Sequence, residues 1–154
     1  MFTQEAALFR GVSVHAIEEL ATESTEKVFE RGDVIFREGD PAQEFYVLIE
    51  GSVEISIGER GAIDFVIGCP GEVFGWAALV EPCLRTGTAS CSTGTKVLSV
   101  PSYAMERVMR KHPEDGLKIM RRLAGILAQR LRFAYESASS HVALATAANQ
   151  PSYG

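Results

Sequence analysis

The sequence predicts a small, mainly β domain: an antiparallel β-roll or jelly roll with flanking helices and one long C-terminal helix. Short β-rich runs separated by glycine-containing turns follow one another at nearly even spacing through the first two thirds of the chain. From Pro101 onward the apolar residues recur with a helical period. With 154 residues and 46% hydrophobic content, the chain is long enough to bury one core.

The N-terminal half divides into two short helices and five strands. We expect a helix over 4–10, ended by Gly11, and a second helix that Ser13 caps and that runs through Leu20. The strand runs that follow are 27–29, 34–36, 45–50, 53–57 and 63–67. Glycines in the intervening segments supply the backbone freedom that tight turns require, at Gly32, Gly39, Gly51, Gly58 and Gly61.

The stretch 71–89 interrupts this strand pattern and holds the candidate site. A short helical turn beginning at Gly75 would leave backbone N–H groups unpaired, and such groups suit an anion. Arg85, followed by Thr86, stands close behind in sequence. A guanidinium beside free N–H groups is a combination that holds a phosphate.

These residues resemble the phosphate-binding cassette of cyclic nucleotide-binding domains, which reads Phe-Gly-Glu-Leu-Ala-Leu, a loop, then Arg and a small residue. The turn glycines of the strand region resemble the same family, so that the likeness covers about residues 8–137. It implies a β-roll sensor domain with regulatory function. It also implies that a cyclic nucleotide or another phosphate-bearing ligand would be held by cassette residues. The matching residues here are Phe74, Gly75, Ala78, Leu79, Arg85 and Thr86, and the implied phosphate contacts are the backbone N–H groups of Gly75, Ala77 and Ala78 with the side chains of Arg85 and Thr86.

Trp76 stands where the family has the Glu that binds the ribose 2′-hydroxyl. A hydrogen bond to a charged group contributes roughly 1.5–3 kcal/mol, so its loss should weaken binding about ten- to a hundredfold. Two interpretations stay open. In the first, the indole fills the ribose space, and the domain works as a protein–protein interaction module with a closed pocket. In the second, the indole stacks on a different ligand.

Two more strands, 84–91 and 96–100, should follow the cassette, and then a helix from Ser102 to about Lys111. Pro113 disfavours helical geometry at His112 and suits the first turn of a next helix. We expect that helix to span about 114–137, so that the domain occupies 1–137 and a flexible tail occupies 138–154.

The last helix carries two apolar stripes, which predicts two packing partners. One stripe should pack on the strand domain, and the other, with steps of three and four, should meet a twin helix in a homodimer. The inner stripe consists of Ile119, Leu123, Ile126 and Phe133. The dimer stripe consists of Leu117, Met120, Ala124, Leu127, Leu131, Ala134 and Ala138.

Charge and composition exclude several other classes. The net charge of −5 argues against a nucleic-acid surface, and no helix-turn-helix pattern follows the last helix, so we expect a stand-alone regulatory module that does not bind DNA. No signal peptide or membrane span is visible, which favours the cytoplasm. A separate protein would then serve as effector.

The cysteine and histidine patterns predict no enzyme. Cys69, Cys83 and Cys91 lack paired spacing, and only Cys83, close to the cation of Arg85, is a candidate for redox reactivity. A metal-dependent cupin enzyme is the alternative for a small jelly roll, but it needs histidines that converge inside the barrel. His15, His112 and His141 fall on or beside helices or in the tail. We therefore expect no catalytic residue, no metal and no resident cofactor.

Overall fold

The computed structural model describes residues 7–58 and 63–145. Within these ranges eight strands form two four-stranded antiparallel sheets, which confirms the predicted fold class. The strands are β1 (Thr25–Phe29), β2 (Val34–Phe36), β3 (Glu44–Glu50), β4 (Val53–Ser56), β5 (Ile63–Ile67), β6 (Val73–Phe74), β7 (Thr88–Cys91) and β8 (Thr95–Pro101). The strand order is β1-β8-β3-β6 in the first sheet and β2-β7-β4-β5 in the second.

Strand β3 is central because both of its faces are covered. Its Tyr46 and Leu48 belong to the apolar cluster formed with residues of the second sheet. Its Phe45 points to the opposite face and contacts Phe9 of the N-terminal 3₁₀ turn Ala7–Phe9, with ring centroids 6.3 Å apart. Burial on both faces explains why this strand reads as a continuous apolar run rather than an alternating one.

Three α-helices complete the described chain: α1 (Val14–Glu23), α2 (Ser102–Lys111) and α3 (Pro113–Ala145). Ser13 caps α1 as predicted, its Oγ accepting from the N–H of Ala16 at 3.3 Å. His112 alone separates α2 from α3, and α3 begins at Pro113, as the sequence predicts. Of the predicted helix at 4–10, residues 4–6 lie outside the described ranges, and the described part forms only the 3₁₀ turn Ala7–Phe9.

The predicted strand at 84–91 is shorter in the structure. Only β7 is a strand, and Leu84 forms an isolated bridge with Pro41. The Arg85 N–H donates to Asp40 O at 2.8 Å, so the chain is held by a loop there instead of by a neighbouring strand. Strand β6 was not predicted, because two residues carry too little alternation to be recognised.

Helix α3 runs to Ala145, so the predicted helix end near 137 was wrong. The segment after Ser137 contains Ala and Leu and no Gly or Pro before Pro151, so nothing in it stops a helix. The rest of the predicted tail, 146–154, lies outside the described residues.

The chain separates into two compact units, Met1–Ile119 with all described strands and Met120–Gly154. In the second unit, three large apolar side chains that are close in sequence are exposed: Leu131 (54%), Phe133 (64%) and Tyr135 (49%). The exposure of Phe133 corrects the expectation that the whole inner stripe is buried. Within the described ranges, no helix combines the length and apolar character needed to cross a membrane.

Candidate ligand site at the cassette

The cassette contains the short helix that the sequence predicts. Trp76–Leu79 forms a 3₁₀ helix directly after Gly75, whose φ of 73° lies in the left-handed region. A Cβ on Gly75 would lie 2.9 Å from Tyr46 Cδ2 and 3.1 Å from Arg85 Nη1. Glycine is therefore required at this position both by the backbone conformation and by the lack of space.

Arg85 lies beside Gly75 as predicted, but its side chain is directed into the protein and only 5% of the residue is exposed. Its Nη1 donates to the Gly75 carbonyl at 2.8 Å, and its Nη2 donates to the Glu44 carbonyl at 2.8 Å. The guanidinium carbon lies 4.1 Å from the ring centroid of Phe36. The group expected to hold a phosphate is thus held by the protein's own main chain and by an aromatic face.

Burial also affects the ionisation of this guanidinium. Burial lowers the pKa of Arg85 below its usual value, although Tyr46, Glu44 and Asp40 act in the opposite direction. Arginine nevertheless stays charged in proteins. Its Nε is buried and has no hydrogen-bond partner in the described part of the chain. The charge is therefore stabilised by two carbonyl dipoles and by the rings of Phe36 and Tyr46, while Nε is left without a partner among the described residues.

Three aromatic rings support this arrangement. Phe36 and Tyr46 stack with centroids 6.0 Å apart, and Tyr46 and Phe74 stack at 5.2 Å. Phe36 comes from the second sheet, whereas Tyr46 and Phe74 come from the first. Arg85 therefore lies at the Phe36 end of a stack that links the two sheets.

A polar cluster lies next to the stack, centred on the side chain of Glu44. Tyr46 donates its hydroxyl to Glu44 Oε1 at 2.5 Å, Ser99 donates to Oε2 at 3.0 Å, and Lys27 Nζ lies 3.3 Å from Oε1. Burial opposes ionisation of Glu44, but these contacts outweigh it and hold its pKa below the ordinary value. Burial, together with the Glu44 contact, raises the pKa of Tyr46 well above its ordinary value. This ion pair and its hydrogen bonds fix the β3 segment whose carbonyl binds Arg85.

The remaining predicted site residues divide into buried and exposed ones. Ala77 and Ala78 are buried in a small cluster with Ala42, while Thr86 is exposed. Trp76, the first residue of the cassette helix, is half-buried. The structure thus joins Gly75 and Arg85 through a direct hydrogen bond. Sequence reasoning missed Phe36, Tyr46 and Glu44, whose only signal was their position in strands.

The cysteines and histidines lie in different places. Cys83 has a φ of 59° and its Sγ lies 3.9 Å from the Ala78 carbonyl oxygen, Cys69 is exposed and Cys91 is buried. His15 lies in α1, and His112 lies between α2 and α3 with Nε2 3.1 Å from Glu19 Oε1. None of these three cysteines and two histidines is among the residues that contact the Arg85 guanidinium.

Two four-stranded sheets, a 3₁₀ cassette helix and a following arginine define a β-roll of the kind found in ligand-sensing regulatory proteins. Residues 26–112 match the profile of the family described as cyclic nucleotide-binding domain. The chain therefore belongs to the cyclic nucleotide-binding domain family, as its motifs indicate.

Several relatives show the same likeness over most of this chain. This chain is 32% identical over 132 residues to a CRP-like cAMP-activated global transcriptional regulator of Mycobacterium tuberculosis. The match covers 82% of this chain and 56% of that protein. The chain thus spans little more than half the length of this relative. Similar solved structures are the sensor domain of the transcriptional regulator DNR from Pseudomonas aeruginosa (TM-score 0.70, 26% identity, covering 84% of this chain and 88% of that one) and the Thermus thermophilus catabolite activator protein (TM-score 0.70, 25% identity, covering 86% and 62%).

Proposed function

We propose that this chain is a regulatory domain whose cassette is closed, and that it acts through contacts with other protein chains rather than by binding cyclic AMP or cyclic GMP. The observation that carries this proposal is the side chain of Arg85, which is 5% exposed and bound to the carbonyls of Gly75 and Glu44. A guanidinium so placed presents little surface to an anion in solvent.

The energetic cost of opening supports the proposal. A phosphate would have to draw Arg85 away from two carbonyl oxygens, each bond to a charged group contributing roughly 1.5–3 kcal/mol. Trp76 provides no carboxylate for a ribose hydroxyl in return. Opening at a cost of about 3 kcal/mol reduces apparent affinity by about two orders of magnitude.

A second candidate function is binding of another phosphate-bearing molecule. The observation that favours it is the buried Arg85 Nε, a donor without a partner in the described residues. An anion that reached it would gain a charge-assisted hydrogen bond. A rise in melting temperature with inorganic phosphate, but not with chloride at equal ionic strength, would favour this second function.

We also propose that the chain is not an enzyme. Within the described ranges, no group of three His, Cys, Asp or Glu residues is placed to share a metal ion. This arrangement gives no support to the cupin alternative, which requires such a group.

Trp76→Glu should convert the domain toward cyclic nucleotide binding. The substitution removes the indole and supplies the acceptor that the family uses for the ribose. We expect little calorimetric response to cyclic AMP or cyclic GMP from the unmodified protein and detectable binding by Trp76→Glu.

Trp76→Gln is the matched control, because it removes the same indole but provides no charge. We expect it to bind at least about tenfold more weakly than Trp76→Glu, since a charged acceptor contributes more than a neutral one. Tight binding of cyclic AMP by the unmodified protein would contradict the closed cassette.

We further propose that the chain forms a homodimer through α3. The support is the exposure of Leu131 on the predicted dimer stripe and of Tyr135, which follows one turn later on the same side of the helix. Large apolar side chains exposed on one side of a helix are typical of an interface. A second copy of the same helix supplies a self-complementary partner.

Leu127→Glu should convert the dimer to a monomer, because it introduces an unpaired charge into the predicted apolar seam. Light scattering at micromolar concentration measures the mass. Gln129→Glu adds the same charge two residues away, at an exposed position on another side of the helix, and should leave the dimer intact. A monomer mass for the unmodified protein would remove the dimer proposal.

A further inference from the structure

Helix α1 is connected to the first turn of α3 through Ser13, its N-cap. The Ser13 hydroxyl, which accepts from the Ala16 N–H, donates to Asp115 Oδ2 at 2.6 Å. The Ser13 N–H donates to Asp115 Oδ1 at 3.2 Å. One carboxylate therefore receives two hydrogen bonds from a residue 102 positions earlier in the chain.

Asp115 belongs to the first turn of α3, where a negative charge interacts favourably with the helix N-terminus. The residue is 8% exposed. The Ser13 hydrogen bonds outweigh the effect of burial and hold the pKa of Asp115 below its usual range, with Lys118 and His112 adding in the same direction. A single ionised side chain thus stabilises the N-termini of two helices.

A second polar contact joins α1 to the junction between α2 and α3. His112 Nε2 lies 3.1 Å from Glu19 Oε1, in the middle of α1. The His112 N–H closes α2 on the Val108 carbonyl at 2.7 Å, and its carbonyl accepts from the Gly116 N–H at 2.9 Å. The one residue between the two helices is therefore bound to α1 by its side chain and to both helices by its backbone.

We propose that α1 is a clasp on this junction: the Ser13–Asp115 and Glu19–His112 contacts open and close together, and residues 112–116 move only when α1 releases them. The coupling follows from the rigidity of α1, which places Ser13 and Glu19 six residues apart on one short helix. If one contact opens and α1 pivots, the other exceeds hydrogen-bonding distance. Because the clasp contains no cassette residue, the inference stands independently of the closed cassette.

Hydrogen exchange of the full chain tests the clasp. Asp115→Asn keeps the side-chain shape but removes the charge, and we expect amide exchange to become about tenfold faster both at 112–119 and around Glu19 in α1. Glu114→Gln removes the neighbouring exposed carboxylate of the same helical turn and should change neither segment. Faster exchange confined to the surroundings of Asp115 would overturn the proposal.

The reciprocal variant gives an independent test if Asp115→Asn folds poorly. Glu19→Gln should raise exchange at Ser13–Ala16 as well as at His112. In the double variant, the two effects on the urea midpoint should sum to less than their separate values, because one opening event already breaks both contacts. Strict additivity, or an effect of Glu19→Gln limited to His112, would show that the two contacts open separately.

Discussion

Arg85→Ala should unfold at a melting temperature about 10 °C below that of the unmodified protein, a loss of about 4 kcal/mol in the free energy of unfolding. The substitution leaves the Gly75 and Glu44 carbonyl oxygens without their donor and opens a cavity against Phe36. If the main role of Arg85 were to bind a phosphate, its charge would be buried and uncompensated in the free protein. Arg85→Ala would then raise the melting temperature, because removing an uncompensated buried charge stabilises a protein.

Two further variants separate the contributions to this loss. Arg85→Lys keeps the charge but cannot reach two carbonyls with one planar fork, so an intermediate loss is expected. Arg37→Ala removes an exposed arginine from the turn that follows β2 and should change the free energy of unfolding by less than about 0.5 kcal/mol. Thermal unfolding followed by circular dichroism measures all three, and an Arg85→Ala variant as stable as the parent would rule out the structural role.

Gly75→Ala should cost about 3 kcal/mol, the second largest effect expected. Part of this is the strain of an alanine with positive φ, roughly 1–2 kcal/mol. The rest comes from displacing Tyr46 and Arg85, which lie 2.9 and 3.1 Å from the new Cβ, and overpacking of this kind costs about 1–3 kcal/mol.

Gly39→Ala is the matched control for this prediction. Gly39 also has a positive φ, 88°, but nothing lies within 4 Å of its added Cβ. It should therefore show the strain alone, about 1 kcal/mol. Urea unfolding measures both variants, and equal losses would show that the space around Gly75 is not restrictive.

The sequence predicted the β-roll and the cassette because both depend on local signals. Gly75 before a short helix and Gly39 in a turn are recognisable from their neighbours, and the proximity of Arg85 to Gly75 follows from the family pattern. Pro113 likewise marks the start of α3. Each of these predictions rests on residues close together in the chain.

The direction of the Arg85 side chain could not be predicted in the same way. Its contact with Phe36 requires β2 to pair with β7 in the second sheet, and its contact with the Glu44 carbonyl requires β3 in the first. The residue type shows which groups an arginine can bind, but it does not show which backbone carbonyls from distant parts of the chain will lie next to it. The end of α3 was predicted wrongly because the sequence has no Gly or Pro between Ser137 and Pro151 that would mark it.

The most direct test of the closed cassette is an arginine side-chain nitrogen–proton spectrum of the labelled protein, with Arg85 assigned by its lysine variant. If both terminal nitrogens are bound to carbonyls, the Arg85 Nη protons should appear as separate, slowly exchanging signals, unlike those of exposed Arg37. These signals should stay in place when cyclic AMP is added. Averaged Arg85 signals in the free protein, or a shift of its Nε resonance on addition of cyclic AMP, would contradict the account.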